Sequence, residues 1–146
     1  MERIQIDQVE PTAYEGLFAI ENYLAKAKLS TTHKHLIKIR ASQINRCAFC
    51  IDMHTKEAIK DGESPQRIFL LNSWEKTDLF SQEERIVLQM TEEITNINEG
   101  GLSEDTYQEA ISKFDEQYFS QIIMAIGVIN FWNRIAVSTL KPLPNS

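Results

Sequence analysis

Cys47 and Cys50 are the only cysteines of the chain, and His54 follows the second by four positions. In a helix these residues fall at i, i+3 and i+7 and share one face. Two thiols and a base at close quarters are compatible with three kinds of chemistry. In a redox centre, a thiolate attacks a peroxide and an acid protonates the departing oxygen. The sulfenic acid left behind then condenses with the second thiol into a disulfide. In a zinc centre, Cys-x-x-Cys is half a ligand set, and His54 with His33 or His35 would complete it. The spacing is unusual for zinc, since His33 and His35 precede the cysteines and no second Cys-x-x-Cys is present. In the third reading, both cysteines are small buried hydrophobes and His54 is a satisfied core histidine. Haem attachment is excluded, because Ile51 rather than histidine follows Cys50. Two cysteines and a histidine on one face, with no other cysteine in the chain, favour the redox centre.

The elements around this face read as helix after helix. Asn45 reads as the N-cap of a helix that begins beside Cys47 and stops near Gly62. Cys47 would then lie in the first turn, where the helix dipole favours a thiolate, and Cys50 one turn in, within reach of His54. Before it, Thr12-Ala13-Tyr14-Glu15 fits a capping box, and Tyr14, Leu17, Phe18, Leu24 and Ala25 repeat at helical spacing. A helix over about 32–43 should bury Leu36, Ile37 and Ile39. Ser64-Pro65 restarts the chain with Ile68, Leu71 and Trp74 inward. Ser81-Gln82-Glu83-Glu84 is a second capping box, opening a helix with Val87, Met90, Ile94 and Ile97 on one side and ending at Gly100-Gly101. Ser103 caps the next, whose apolar set is Tyr107, Ala110, Ile111 and Phe114. The last helix, about 116–139, carries so few polar residues between Ile122 and Trp132 that burial on all sides is expected, within the domain or under a second subunit. Pro142 and Pro144 follow it. No β-type alternation, linker or repeat interrupts the series, so residues 1–146 read as a single all-α domain of about six to seven helices.

At 146 residues the chain is long enough for a real core, with 42% hydrophobic and 25% charged residues. A net charge of −6 argues against nucleic acid as a partner. The densest basic run, from His33 to Arg40, reads as a solvated helix face. The N-terminus has no signal-peptide core, and the apolar window from Ile122 to Trp132 is shorter than the roughly 20 residues of a membrane span. A cytoplasmic protein without a membrane partner is expected. In that compartment a close cysteine pair is catalytic or metal-binding more often than structural.

The run Ser42-Gln43-x-Asn45-x-Cys47-x-x-Cys50-x-x-x-His54-Thr55, followed by Ala58 and Gly62-Glu63, resembles the core of the alkylhydroperoxidase AhpD-like group. That group belongs to the carboxymuconolactone decarboxylase superfamily. Trp74, Phe80-Ser81 and the segment Asn130-Phe131-Trp132-Asn133-Arg134 extend the resemblance, which covers the chain from about Tyr14 to Val137. The resemblance implies an AhpD-like all-α fold with a buried C-terminal helix, assembled as a homo-oligomer, a trimer or hexamer. It implies a thiol-dependent peroxidase without a cofactor or metal, acting on a hydroperoxide and re-reduced by a partner protein. On the matching positions Cys50 attacks, Cys47 resolves and His54 moves protons. The family pattern has a glutamate twelve residues before the first cysteine. Here that position is His35, which would join the relay as a second imidazole, and His35→Glu is expected to raise the rate or leave it unchanged. Arg46 also departs from the pattern, standing where a small residue is common. It is either a thiolate-stabilising cation or simply exposed.

Two rival functions share the scaffold. One is carbon–acid chemistry on a small lactone of the carboxymuconolactone decarboxylase type. It needs no cysteine pair, and the sequence offers little to hold a substrate carboxylate beyond scattered arginines. The other is a non-catalytic, redox-sensing oligomer.

Overall fold

The computed structural model describes residues 2–144. The first residue and last two residues of the expected 1–146 domain lie outside that range. Among the described residues all regular structure is helical. In chain order it comprises α1 (Ile6–Val9), α2 (Ala13–Ala25), α3 (Thr31–Ile44), α4 (Ala48–Lys60) and α5 (Pro65–Phe69). A 3-10 segment (Leu71–Lys76) precedes α6 (Gln82–Thr95), and another (Ile97–Glu99) precedes α7 (Glu104–Lys113) and α8 (Glu116–Ser138).

The molecule is arranged around α3, which packs against α4, α6 and α8. Ser30 caps it through the backbone N–H of His33, and Leu36, Ile37, Ile39 and Ala41 are buried along its length. One side of α3 enters the main core with Val87 and Met90 of α6 and Ile122, Ile126 and Ile129 of α8. The other side meets Ala58, Ile68, Leu71, Trp74 and Phe80. A helix buried on two sides keeps little surface for water, so the basic run from His33 to Arg40 is not the expected solvated face. His33 and His35 are buried, and Lys34, Lys38 and Arg40 are half-buried.

The capping box at Ser81 forms as read, with reciprocal bonds between Ser81 and Glu84. The box at Thr12 does not. Thr12 is itself in helical geometry, because successive turns from Glu10 and Pro11 carry the chain into α2 and leave the hydroxyl without a capping role. The half-polar pattern of α7 also divides differently: Ala110 and Phe114 are buried, whereas Tyr107 and Ile111 are exposed.

In α8 the expected all-round burial is not met within the single chain. Gln121, Ile122, Ala125, Ile126, Val128, Ile129, Asn133 and Ala136 face inward, while Met124 and Phe131 lie on an exposed stripe. Its apolar run also extends further than the sequence window suggested. At 23 residues α8 is long and apolar enough to cross a membrane, but it packs here against α2, α3, α4, α6 and α7 as a core helix.

Candidate active site

The turn between α3 and α4 sets the cysteines. After Ile44 the chain reverses through a Schellman arrangement: the Arg46 N–H donates to Gln43 O and the Cys47 N–H to Ser42 O. The residue at the reversal must adopt the left-handed conformation. That residue is Arg46, at φ 53°, with its side chain exposed. Its place in the turn, rather than in a first helical turn, accounts for the position. Asn45 consequently ends α3 instead of capping α4, and its amide donates across the fold to Asn130 Oδ1 and Asn133 Oδ1, both at 2.9 Å.

Cys47 itself caps α4. Its backbone is extended and its sulfur accepts the Cys50 N–H at 3.2 Å. Cys50 is the third residue of α4, and the two cysteines are joined as a disulfide. Both are 2% exposed and pack with Ala136 of α8 and Phe49. The two cysteines differ in what they border. Cys50 lines a cavity of about 540 Å³, and Cys47 does not.

That cavity lies between α2, α4 and the end of α8. Its walls are largely apolar, formed by Tyr14 and Phe18 of α2, Phe49 and Met53 of α4, and Trp132, Ile135 and Ala136 of α8. Tyr14, Phe18 and Trp132 pack ring on ring, with centroids 5.3–6.1 Å apart. The Trp132 indole N–H donates to Glu21 at 3.0 Å, fixing that ring at the cavity wall. Lys141 lies over the Phe49 ring and 3.7 Å from Asp7.

His54 lies one turn beyond Cys50 and lines the same cavity. Its Nδ1 is 2.9 Å from Glu57 Oε2, on the next turn of the same helix. Burial lowers the His54 pKa below 6.5, and the Glu57 hydrogen bond opposes that effect without cancelling it. At neutral pH the ring is therefore uncharged. With Nδ1–H donated to Glu57, Nε2 is left as the basic nitrogen. A neutral, oriented imidazole beside a sulfur can accept a thiol proton and later return it.

His35 occupies a different position. Its Nε2 is 2.7 Å from Asp61 Oδ2, and its buried Nδ1 has no partner. It lines a second, more polar cavity of about 490 Å³ with Lys34, Lys60 and Asp61. Glu21, Lys38 and Glu57 line both cavities and form their common boundary. His33 is held apart from both, with Nδ1 2.6 Å from the Tyr118 hydroxyl. The residue that the sequence reading missed is Glu57, although its signal was local: a carboxylate three positions after a helical histidine shares its face. Among the described residues no group of three or more His, Cys, Asp or Glu side chains is placed to hold a metal.

Known proteins resemble this chain in sequence and fold. The model of the carboxymuconolactone decarboxylase family matches residues 11–93. The uncharacterized protein YdfG of Bacillus subtilis is 36% identical over 137 residues, spanning 94% of this chain and 93% of that one. A crystal structure from Agrobacterium tumefaciens, of a protein of unknown function suggested to be the antioxidant defence protein AhpD, superposes with a TM-score of 0.95. Its identity is 38%, and 100% of each chain is covered. An uncharacterized peroxidase-related protein with an alkylhydroperoxidase AhpD core, from Ralstonia eutropha, gives a TM-score of 0.83 over 95% of this chain and 74% of that one. At 15% identity this last match speaks to the fold alone.

Proposed function

The chain is an AhpD-like member of the carboxymuconolactone decarboxylase family, and from that premise we propose that it is a thiol-dependent hydroperoxidase with Cys50 as the attacking residue. One observation carries the proposal: the Cys47–Cys50 pair is disulfide-bonded, with Cys50 on an apolar cavity beside a buried, carboxylate-held histidine.

In the cycle, reduced Cys50 gives its proton to His54 and attacks the hydroperoxide as thiolate. The O–O bond breaks, the sulfur keeps one oxygen as sulfenic acid, and the alkoxide leaves as an alcohol with the proton returned by His54. The Cys47 thiol then displaces water from the sulfenic acid and forms the disulfide. Two electrons from an external dithiol, carried by a partner protein, restore both thiols. The capping position of Cys47 alone would favour it as the thiolate. Access argues for Cys50, since a peroxide in the cavity meets Cys50.

In this reading Glu57 takes the part that the family pattern gives to a glutamate at position 35, and His35 with Asp61 acts from the neighbouring cavity. A reducing compartment such as the cytoplasm suits a disulfide that must be re-reduced in every turnover. The exposed Met124 and Phe131 on α8 support assembly with further copies of the chain.

The test is a thiol count on the reduced protein before and after one equivalent of organic hydroperoxide. Loss of two thiols per chain is expected, with Cys50→Ser inert and Cys47→Ser reacting once and stopping. Unchanged thiols, or peroxide consumption by Cys50→Ser at the parent rate, would overturn the proposal.

A further inference from the structure

Lys34 and Lys38 lie one turn apart on α3, half-buried, and face the two adjoining cavities. The Lys and Arg ion pairs among the described residues involve Arg40, Lys56, Arg67 and Lys141 and leave both of these lysines without one. Like charges at this spacing repel, and partial burial adds to the cost. Both effects lower the Lys34 pKa, burial most, with the Lys38 ammonium next and Glu21 opposing them.

The carboxylates of Glu21, Glu57 and Asp61, which border the same cavities, lie beyond ion-pair distance of both lysines, and each is hydrogen-bonded to another side chain. Glu57 holds His54, Asp61 holds His35, and Glu21 accepts the Trp132 indole N–H. The two ammonium groups are therefore donors awaiting an acceptor. Lys38 lines both cavities: on one side the apolar walls leading to Cys50, on the other the polar cavity that includes Lys34.

We propose that Lys34 and Lys38 form a carboxylate-binding subsite where the two cavities meet, so that the protein takes an apolar organic acid with its head on the lysines and its body against the aromatic wall. That the bound acid is a hydroperoxide rests on the peroxidase reading given above; the subsite does not. This gathering of lysines also alters the expectation that the chain has little to hold a substrate carboxylate. Along the sequence the two lysines look like ordinary helix-surface charges, and only the tertiary placement of α2, α4 and α8 around the cavities encloses them.

The binding test uses the oxidised protein carrying Trp74→Phe, so that Trp132 at the cavity wall is the reporting indole. Phenylbutanoate and its methyl ester are titrated against its fluorescence. The acid is expected to bind roughly ten-fold more tightly than the ester, an advantage that shrinks as salt is raised. Replacing both lysines (Lys34→Met with Lys38→Met) should bring acid and ester within two-fold of each other. Lys56→Met, which removes an exposed lysine paired with Asp52, should preserve the difference. Equal binding of acid and ester by the parent, no binding of the acid, or an advantage that survives the double replacement overturns the subsite.

Kinetics separate this from the peroxidase reading. If cumene hydroperoxide and its para-carboxylate are consumed with equal kcat/KM, the subsite fails and the peroxidase stands. If neither is consumed while the acid still binds preferentially, the peroxidase fails and the subsite stands.

Discussion

His54 Nδ1 lies 2.9 Å from Glu57 Oε2, so one helix supplies both the imidazole facing the cavity and the carboxylate that orients it. Glu57 raises the His54 pKa, and burial lowers it further than Glu57 raises it. Glu57→Gln removes the opposing charge and leaves burial to act, so the pKa falls further below 6.5. The acid limb of the kcat/KM profile, where neutral His54 is lost, should move to lower pH. The rate on the plateau should fall about ten-fold or more as the ring loses its fixed tautomer. A limb that moves to higher pH would contradict this assignment.

The same geometry changes what is expected at position 35. A glutamate there would face Asp61, which now sits 2.7 Å from His35 Nε2, and two adjacent carboxylates repel. His35→Glu should therefore lower stability before it can help the rate. His35→Gln is the cleaner comparison. Its loss in kcat/KM should be smaller than that of Glu57→Gln, and equal or larger losses would return His35 to the centre of the relay.

Re-reduction should begin at Cys50. Cys50 lines the cavity, whereas Cys47 caps α4, where the Cys50 N–H and the helix dipole stabilise a departing thiolate. In Cys47→Ser, an incoming thiol that meets oxidised Cys50 should be trapped as a mixed disulfide. Peptide mass mapping should find the adduct on Cys50. With a disulfide reagent on the reduced variants, modification of Cys47 in Cys50→Ser should be at least ten-fold slower than modification of Cys50 in Cys47→Ser. Comparable adduct formation on both sulfurs would remove the access argument.

What the sequence revealed divides by how local the determinants were. The helical series, the Ser81 box, the Ser103 cap and the apolar line of α3 depend on neighbours within a turn or two, and these formed as read. In α6 Val87 and Met90 are buried as expected, but the helix ends at Thr95, short of Gly100-Gly101, and Ile97 lies beyond it, exposed. The face shared by Cys50 and His54 was legible for the same reason. Asn45 was misassigned because its partners, Asn130 and Asn133, lie more than eighty residues away. An asparagine that caps a helix and one that bridges two helices look alike from nearby residues. The lysines of α3 were read as solvated because their enclosure is tertiary. The apolar circumference of α8 promised burial, but an isolated chain has too few elements to cover it all.

Arg46 offers a separate test of the turn. At φ 53° it occupies a position where glycine has no Cβ penalty, and its side chain is exposed. Arg46→Gly should stabilise the fold by about 1 kcal/mol, a rise in Tm of about 2–4 °C for a chain of this size. The thiol pKa of Cys50, followed in the Cys47→Ser background, should stay unchanged. A raised thiol pKa would instead assign the guanidinium a role in holding the thiolate.

Asn133 is fully buried where α8 crosses the turn that carries Cys47. Its Nδ2 donates to Ser42 Oγ at 3.0 Å, and its Oδ1 accepts from Asn45. Ser42 in turn donates to Lys38 O, and Asn45 continues the network to Asn130, which donates to Thr95 Oγ1. Asn133→Ala opens a small void and removes a donor and an acceptor from a closed network, a loss of about 2–3 kcal/mol in urea unfolding. Asn133→Asp keeps the volume but sets a carboxylate oxygen against Ser42 Oγ, whose own proton is already given to Lys38 O. It also buries a charge without a cation, so it should cost more than alanine. If aspartate were tolerated better than alanine, filling space would be the role of Asn133. If alanine is the milder change, the residue is there for its hydrogen bonds, and the turn that presents Cys47 is anchored by polar contacts to α8.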